Sequence, residues 1–169
     1  MTGDDDILKT ACFTGHRELS DNPKQLYDRL LAVLETLVTE QGVTDFYAGG
    51  AVGFDTIAEK CVLHLRDVKK QPVKLHLVLP CSNEEQTRNW NPTQKYAFRC
   101  ILQRADTVEY TAQNHDPQCM GRRNRRLVEL ANAYCVCYYD AARKSGTAQT
   151  VNLSKEKGLQ IINLFGRKG

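Results

Sequence analysis

The sequence predicts a three-layer α/β/α fold around a mainly parallel, doubly wound sheet. Short apolar runs alternate six times with stretches of helical apolar spacing. Glycine, proline or aspartate closes most of those runs, as at strand ends. Strands separated by helices pair in parallel through right-handed crossovers, which lay helices on both faces of the sheet. No repeat, low-complexity tract or linker breaks the 169 residues, so the chain reads as one domain, 1–169, with residues 1–6 as a flexible tail.

The first strand is ILKTACFTG (7–15), stopped by glycine. From Pro23 to Gln41, Leu26, Leu30, Val33, Leu34 and Leu37 recur at helical spacing, with SDNP as a start signal and Gly42 as a stop. VTDFYAGG is a short strand running into glycines. From Asp55 onward, Ile57, Ala58, Cys61, Val62 and Leu65 mark a second amphipathic helix. VKLHLVLP (73–80) alternates and ends at proline. CSNEEQTRNWN (81–91) reads as an irregular polar segment before a helix over about Pro92–Arg104, and DTVEY as a short strand. A helix near Arg122–Asn132, the strand AYCVCYYD, a helix after Gly146 and the strand QIINLF complete the alternation.

Composition narrows the function classes. With 41% apolar and 25% charged residues the chain has the make-up of a folded globular protein. A net charge of +3 is too small to imply nucleic acid by itself. No apolar run approaches a membrane span, and MTGDDDILK is acidic where a signal peptide is basic, so a soluble, cytoplasmic protein is expected. Cys12, Cys61, Cys81, Cys100, Cys119, Cys135 and Cys137 are scattered without a CxxC pair. That spacing favours reduced, mostly buried thiols over a zinc site, and no metal is expected.

In a doubly wound sheet, ligands bind beyond the carboxyl ends of the strands, where helix N-termini present their amides. Four unusual turns fall on that edge: TGHR (Thr14–Arg17), GGAVGFD (Gly49–Asp55), Pro80 with its polar loop, and YDAARKSGT (Tyr139–Thr147). The G-G-x-x-G spacing of Gly49, Gly50 and Gly53 is neither a dinucleotide fingerprint nor a Walker loop; it fits a phosphate-holding turn or a plain tight turn. Asp55 is either a helix-start acid or a ligand-binding carboxylate. His16 and Arg17 put a titratable group and a fixed cation on the edge, after Thr14 and Gly15.

Helical geometry sorts the arginines of MGRRNRRLVELAN. Arg123 and Asn124 lie one turn before the apolar Leu127, Val128 and Ala131 and face inward, whereas Arg122, Arg125 and Arg126 face out with Glu129 and Asn132. An inward cation at a helix start needs an anion. Ser145, with the Gly146 and Thr147 amides, either caps the last helix or holds a phosphate. Asp140 either binds ribose hydroxyls or closes a turn. Trp90 is either a core anchor or an aromatic wall for a base.

TGHR, GGAVGFDT, Pro80, the W-x-x-x-Q-x-Y of Trp90, Gln94 and Tyr96, Arg123–Asn124 and YYD…SGT together resemble the YpsA-like branch of the SLOG (SMF/DprA–LOG) superfamily, over nearly the whole chain. The resemblance implies a Rossmann-like fold. It also implies a ligand edge formed by Gly15, Arg17, Gly49, Gly50, Gly53, Asp55, Arg123, Asn124, Gly146 and Thr147. The superfamily includes cytokinin-activating phosphoribohydrolases, the DNA-uptake protein DprA, and sensor domains for nucleotide-derived ligands. Those hydrolases carry P-G-G-x-G-T-x-x-E. Here RKSGTAQTV has Ala148, Gln149 and Thr150 where the acid would fall, and Ser145 replaces the first glycine of the YpsA-like GGT.

The leading expectation is therefore a module that binds ADP-ribose, an NAD-like molecule or a nucleoside phosphate, with no other cofactor. The Gly49–Gly53 loop and the Gly146–Thr147 helix start would hold phosphate, Arg17 and Arg123 would neutralise it, and Asp55 would bond a ribose hydroxyl. The alternative is a hydrolase of an N-glycosidic or phosphoribosyl bond using Asp55 or Glu59. Nucleic acid ranks last as a partner, since aromatic interleaving is missing. A homodimer is expected by family analogy alone.

Overall fold

The computed structural model describes residues 7–166, so the expected tail at 1–6 lies outside the described residues. In chain order the elements are β1 (Lys9–Gly15), α1 (Pro23–Thr39), β2 (Val43–Ala48), α2 (Phe54–Asp67), β3 (Lys74–Leu79) and α3 (Asn83–Gln86), then α4 (Pro92–Arg104), β4 (Thr107–Tyr110), α5 (Cys119–Leu130), β5 (Tyr134–Tyr138), α6 (Gly146–Lys157) and β6 (Gln160–Asn163). Every strand pair is parallel, and the sheet order is β4-β3-β2-β1-β5-β6. This is the predicted α/β architecture.

The helices form because their apolar residues repeat on one side and their ends are capped. In α1 the Asn22 side chain accepts the Gln25 amide at 3.1 Å, Pro23 opens the first turn, and Leu26, Leu30, Leu34 and Leu37 are buried four or three residues apart. Each such leucine contributes about 1.5–3 kcal/mol of hydrophobic burial. Helices α1, α2 and α4 pack together on one face of the sheet, and α5 and α6 pair on the other. The larger core lies under the first group around Phe13, Phe46 and Phe54; the smaller lies under the second around Cys12, Cys135, Leu127 and Val151.

The polar segment 81–91 is more ordered than expected. Ser82 caps a single turn, α3, by accepting the Glu85 amide at 3.3 Å. One four-residue turn is too short for apolar periodicity to announce it. Asn91 and Gln94 then form a capping box at the start of α4, with bonds of 2.8 and 3.1 Å. Gln94 of the W-x-x-x-Q-x-Y pattern thus closes a helix start. Helix α5 begins at Cys119, three residues before its expected start.

β1 pairs with β2 on one side and β5 on the other. The chain winds outward from β1 to β4, crosses back over the sheet through α5, and resumes at β5 on β1's other flank. That reversal parts the loops after β1 and β5 and opens a crevice between them.

Candidate functional site

The crevice is a cavity of about 510 Å³, within the roughly 300–1,000 Å³ typical of small-molecule sites. The end of β1 contributes Thr14 and Gly15, and the loop after it His16, Arg17 and Glu18; the loop before α2 and its first turn contribute Ala51 and Asp55. α5 supplies Met120, Arg123 and Asn124, and the β5–α6 loop and helix start supply Arg143, Lys144, Ser145, Gly146 and Thr147.

In the Gly49–Gly53 loop, expected to hold a phosphate, the three glycines lie outside the cavity lining. Amides of the loop are engaged by the chain's own carboxylates: Gly50 N–H donates to Glu59 Oε2 at 3.1 Å, and Ala51 N–H donates to Asp55 Oδ2 at 3.2 Å. Gly49 lets the Arg123 guanidinium lie against the backbone, where a Cβ would collide with it, and the guanidinium donates to the Gly49 carbonyl. Gly53 holds φ +82° and packs on the Arg17 carbonyl.

Asp55, Glu59 and Arg123 form a buried charge cluster, with exposures of 5%, 2% and 6%. Burial raises the Asp55 carboxyl above its ordinary range; Arg123, the Ala51 amide, Arg17 and the nearby Gly49 amide pull it back. Burial pushes Glu59 much further up, and the charge of Asp55 adds to that. Burial also lowers Arg123, which as a guanidinium still remains charged. Of the two acids, burial and the charge of Asp55 favour the proton on Glu59, while the Arg123 charge favours the ionised form of Asp55. Two atoms of this cluster are incompletely satisfied. Among the described residues, Asp55 Oδ1 is buried with no hydrogen-bond partner, and Arg123 Nη2 has only the Met120 thioether, at 3.6 Å.

On the opposite wall, His16 joins three segments. Its Nε2 accepts the Asp140 amide at 2.8 Å, which assigns the proton to Nδ1, and Nδ1 donates to Ser145 Oγ at 3.2 Å. Burial, then the Arg143 charge, lowers the imidazole's pKa, so its neutral form is favoured. An imidazole with its proton on Nδ1 cannot take one from Ser145, so the pair is not a nucleophile with its base. Ser145 instead caps α6 by accepting the Thr147 amide at 3.3 Å. Asp140 accepts the Ala142 amide at 3.0 Å and closes its own turn.

Of the residues singled out in the sequence, Thr14, Gly15, His16, Arg17, Asp55, Arg123, Asn124, Ser145, Gly146 and Thr147 meet at the cavity. Gly49, Gly50, Gly53, Glu59, Pro80, Trp90 and Asp140 do not line it. Trp90 packs edge-on against Phe98 with centroids 5.4 Å apart, as a core anchor does. Pro80 is buried at the end of β3. Arg143 and Lys144 were missed, although the run ARK directly before SGT places two cations beside a helix start. Of the outer arginines, Arg122 pairs with Asp116 at 3.2 Å, Arg126 pairs with Glu109 at 2.7 Å, and Arg125 is exposed. The seven cysteines are free, and all but the half-buried Cys100 are buried. Among the described residues no cluster of three or more histidine, cysteine or acidic groups is placed to hold a metal, and no helix is long and apolar enough to cross a membrane.

An all-parallel sheet with a cation-lined crevice at its reversal defines a Rossmann-like α/β protein. The chain belongs to the YspA SLOG family, whose YpsA profile matches residues 16–163. It is similar to the uncharacterized SPbeta prophage-derived protein YoqJ of Bacillus subtilis (strain 168), 31% identical over 144 residues, which is 78% of this chain and 81% of that protein. Among solved structures it is similar to the X-ray structure of TM1055, with a TM-score of 0.60 and 18% identity over 96% of this chain and 77% of the other, a likeness of fold.

Proposed function

We propose that the chain binds a nucleotide or nucleotide-derived ligand, ADP-ribose or NAD-like or a nucleoside phosphate, in the crevice beyond β1 and β5. The observation that carries this reading is the lining of the crevice. Arg17, Arg123, Arg143 and Lys144 surround a cavity that also holds the first turn of α6 and one buried carboxylate, Asp55. Phosphate oxygens match the cations and the helix start. A sugar hydroxyl matches the carboxylate, as in other nucleotide sites. Membership of the SLOG family supports the same reading.

Calorimetry or thermal shift across NAD, ADP-ribose, cyclic ADP-ribose and nucleoside monophosphates tests it. At least one is expected to bind, and Arg143→Ala with Lys144→Ala to weaken it about ten-fold or more, as for loss of charge-assisted hydrogen bonds. Arg123→Ala is a poorer probe, since it strands Asp55 in the interior without its counter-charge. Affinity indifferent to the two cations would sink the proposal.

The second reading is a hydrolase of the N-glycosidic or phosphoribosyl bond, favoured by Asp55 as a buried carboxylate at the cavity wall. Glu59 lies behind that wall and would set the charge of Asp55 rather than touch substrate. Chromatography for released base separates the readings: turnover lost in Asp55→Asn with binding kept favours the enzyme. Nucleic acid remains last, because two of the three outer arginines, Arg122 and Arg126, pair with acidic neighbours and leave Arg125 as an isolated exposed cation rather than part of a basic patch.

A further inference from the structure

Resting on the nucleotide reading, we propose that the crevice recognises the sugar–phosphate half of its ligand and does not read the base. The sugar's vicinal hydroxyls sit on Asp55 and Arg123, and the phosphate sits on Arg143, Lys144 and the start of α6.

The two incompletely satisfied atoms argue for the sugar. Asp55 spends Oδ2 on the Ala51 amide and leaves Oδ1 without a donor. Arg123 spends Nη1 on the Gly49 carbonyl and Nε on Asn124 Oδ1, at 2.9 Å, and leaves Nη2 with a weak sulfur acceptor. An acceptor in need of a donor and a donor in need of an acceptor, on two residues that line the same cavity, suit a diol. One hydroxyl donates to the carboxylate while its neighbour accepts from the guanidinium. A phosphate against Asp55 would meet its negative charge instead.

The phosphate belongs at the other end. Arg143 and Lys144 directly precede Ser145, with Arg143 held over the cavity by the Glu18 carbonyl at 2.8 Å and Asp140 at 3.5 Å. α6 runs for 12 residues, long enough to carry a full terminal dipole. Asn124 ties the two ends together, since Nδ2 donates to the Gly146 carbonyl at 3.4 Å while its Oδ1 holds Arg123.

A base would need a flat apolar face or a set of unengaged edge groups. The cavity's aromatic residue, Phe13, is fully buried and stacked on Phe46 with centroids 5.6 Å apart. Both nitrogens of the His16 ring are engaged, by the Asp140 amide and Ser145 Oγ. The Asn124 amide is engaged at both its oxygen and its nitrogen. Trp90 is committed to Phe98, away from the cavity.

Calorimetry on the whole chain with inorganic phosphate, ribose 5-phosphate, 2-deoxyribose 5-phosphate, AMP, GMP, CMP and adenosine decides the matter. Ribose 5-phosphate and the three nucleotides should bind within about three-fold of one another, while the deoxy sugar phosphate and adenosine should lose roughly ten-fold or more, as sites lose ligands that lack a recognised group. Asp55→Asn should erase the difference between ribose and deoxyribose and leave inorganic phosphate unchanged. If that variant fails to fold, the two sugar phosphates on the unaltered protein decide alone. AMP binding well with CMP or ribose 5-phosphate more than about ten-fold weaker would overturn the inference and leave the nucleotide reading standing. Equal binding of the two sugar phosphates would overturn it as well. If no phosphorylated ligand binds, both fall.

Discussion

Glu59 and Asp55 show how a carboxylate's neighbours decide its work. Both sit on α2 four residues apart, and both accept amides from the glycine loop, yet only Asp55 reaches the cavity. Burial raises both acids in the folded chain, and Glu59 more. A carboxyl whose folded pKa lies above its unfolded value adds stability below the unfolded pKa and loses it as pH rises through the folded one. Stability should therefore fall as pH climbs from the ordinary carboxylate range toward the raised folded values. Glu59→Gln, a neutral mimic of the protonated acid that still accepts the Gly50 amide, should flatten that slope in urea unfolding followed from about pH 5 to 9. An unchanged slope would mean that Glu59 carries its charge in the fold. The inward turn of Arg123 and Asn124 could be read from helical period, because Leu127 and Val128 mark the buried side. The destination of the loop amides could not, since it depends on how a loop and the next helix fold back on each other.

At the level of elements, the turn between β2 and α2 is set by backbone shape. Gly53 holds φ +82° with ψ −125°, a conformation that side chains avoid, and the Arg17 carbonyl occupies the space of any Cβ. Gly53→Ala should cost about 1–3 kcal/mol from strain alone, more with the clash, and should loosen the TGHR loop against α2. Chemical denaturation measures the first effect and weakened ligand binding the second; a variant as stable as the parent would refute the assignment. Element type was legible wherever apolar residues recur over three turns, as in α1. The single turn α3 was not, and neither was the use of Gln94 in a cap, because one capping box carries no periodicity.

For the molecule as a whole, alternation of strand and helix predicts a parallel sheet but not the order of its strands. That β5 lies against β1 follows from the return through α5, and it is this neighbourhood that brings TGHR to SGT. Most of the polar turns singled out in the sequence collect at the cavity; Arg143 and Lys144 were not singled out, because this cavity exists only once β1 and β5 are side by side.

His16 gives that neighbourhood a dynamic meaning. Its amide donates to Tyr138 O, its carbonyl accepts Phe54 N–H, and its ring holds the Asp140 amide and the cap of α6. One residue thus pins the end of β5 and the starts of α2 and α6. Opening at one of them is therefore expected to disturb the others, with the walls of the crevice acting as a single cooperative unit. The amide protons of Phe54 and Asp140 should exchange with solvent deuterium at matched opening free energies, and in His16→Ala both should quicken together. Independent exchange of the two amides would show that the walls breathe separately. If they move as one, a ligand that touches only the α6 side is also felt at α2, 90 residues away along the chain from Ser145 to Asp55.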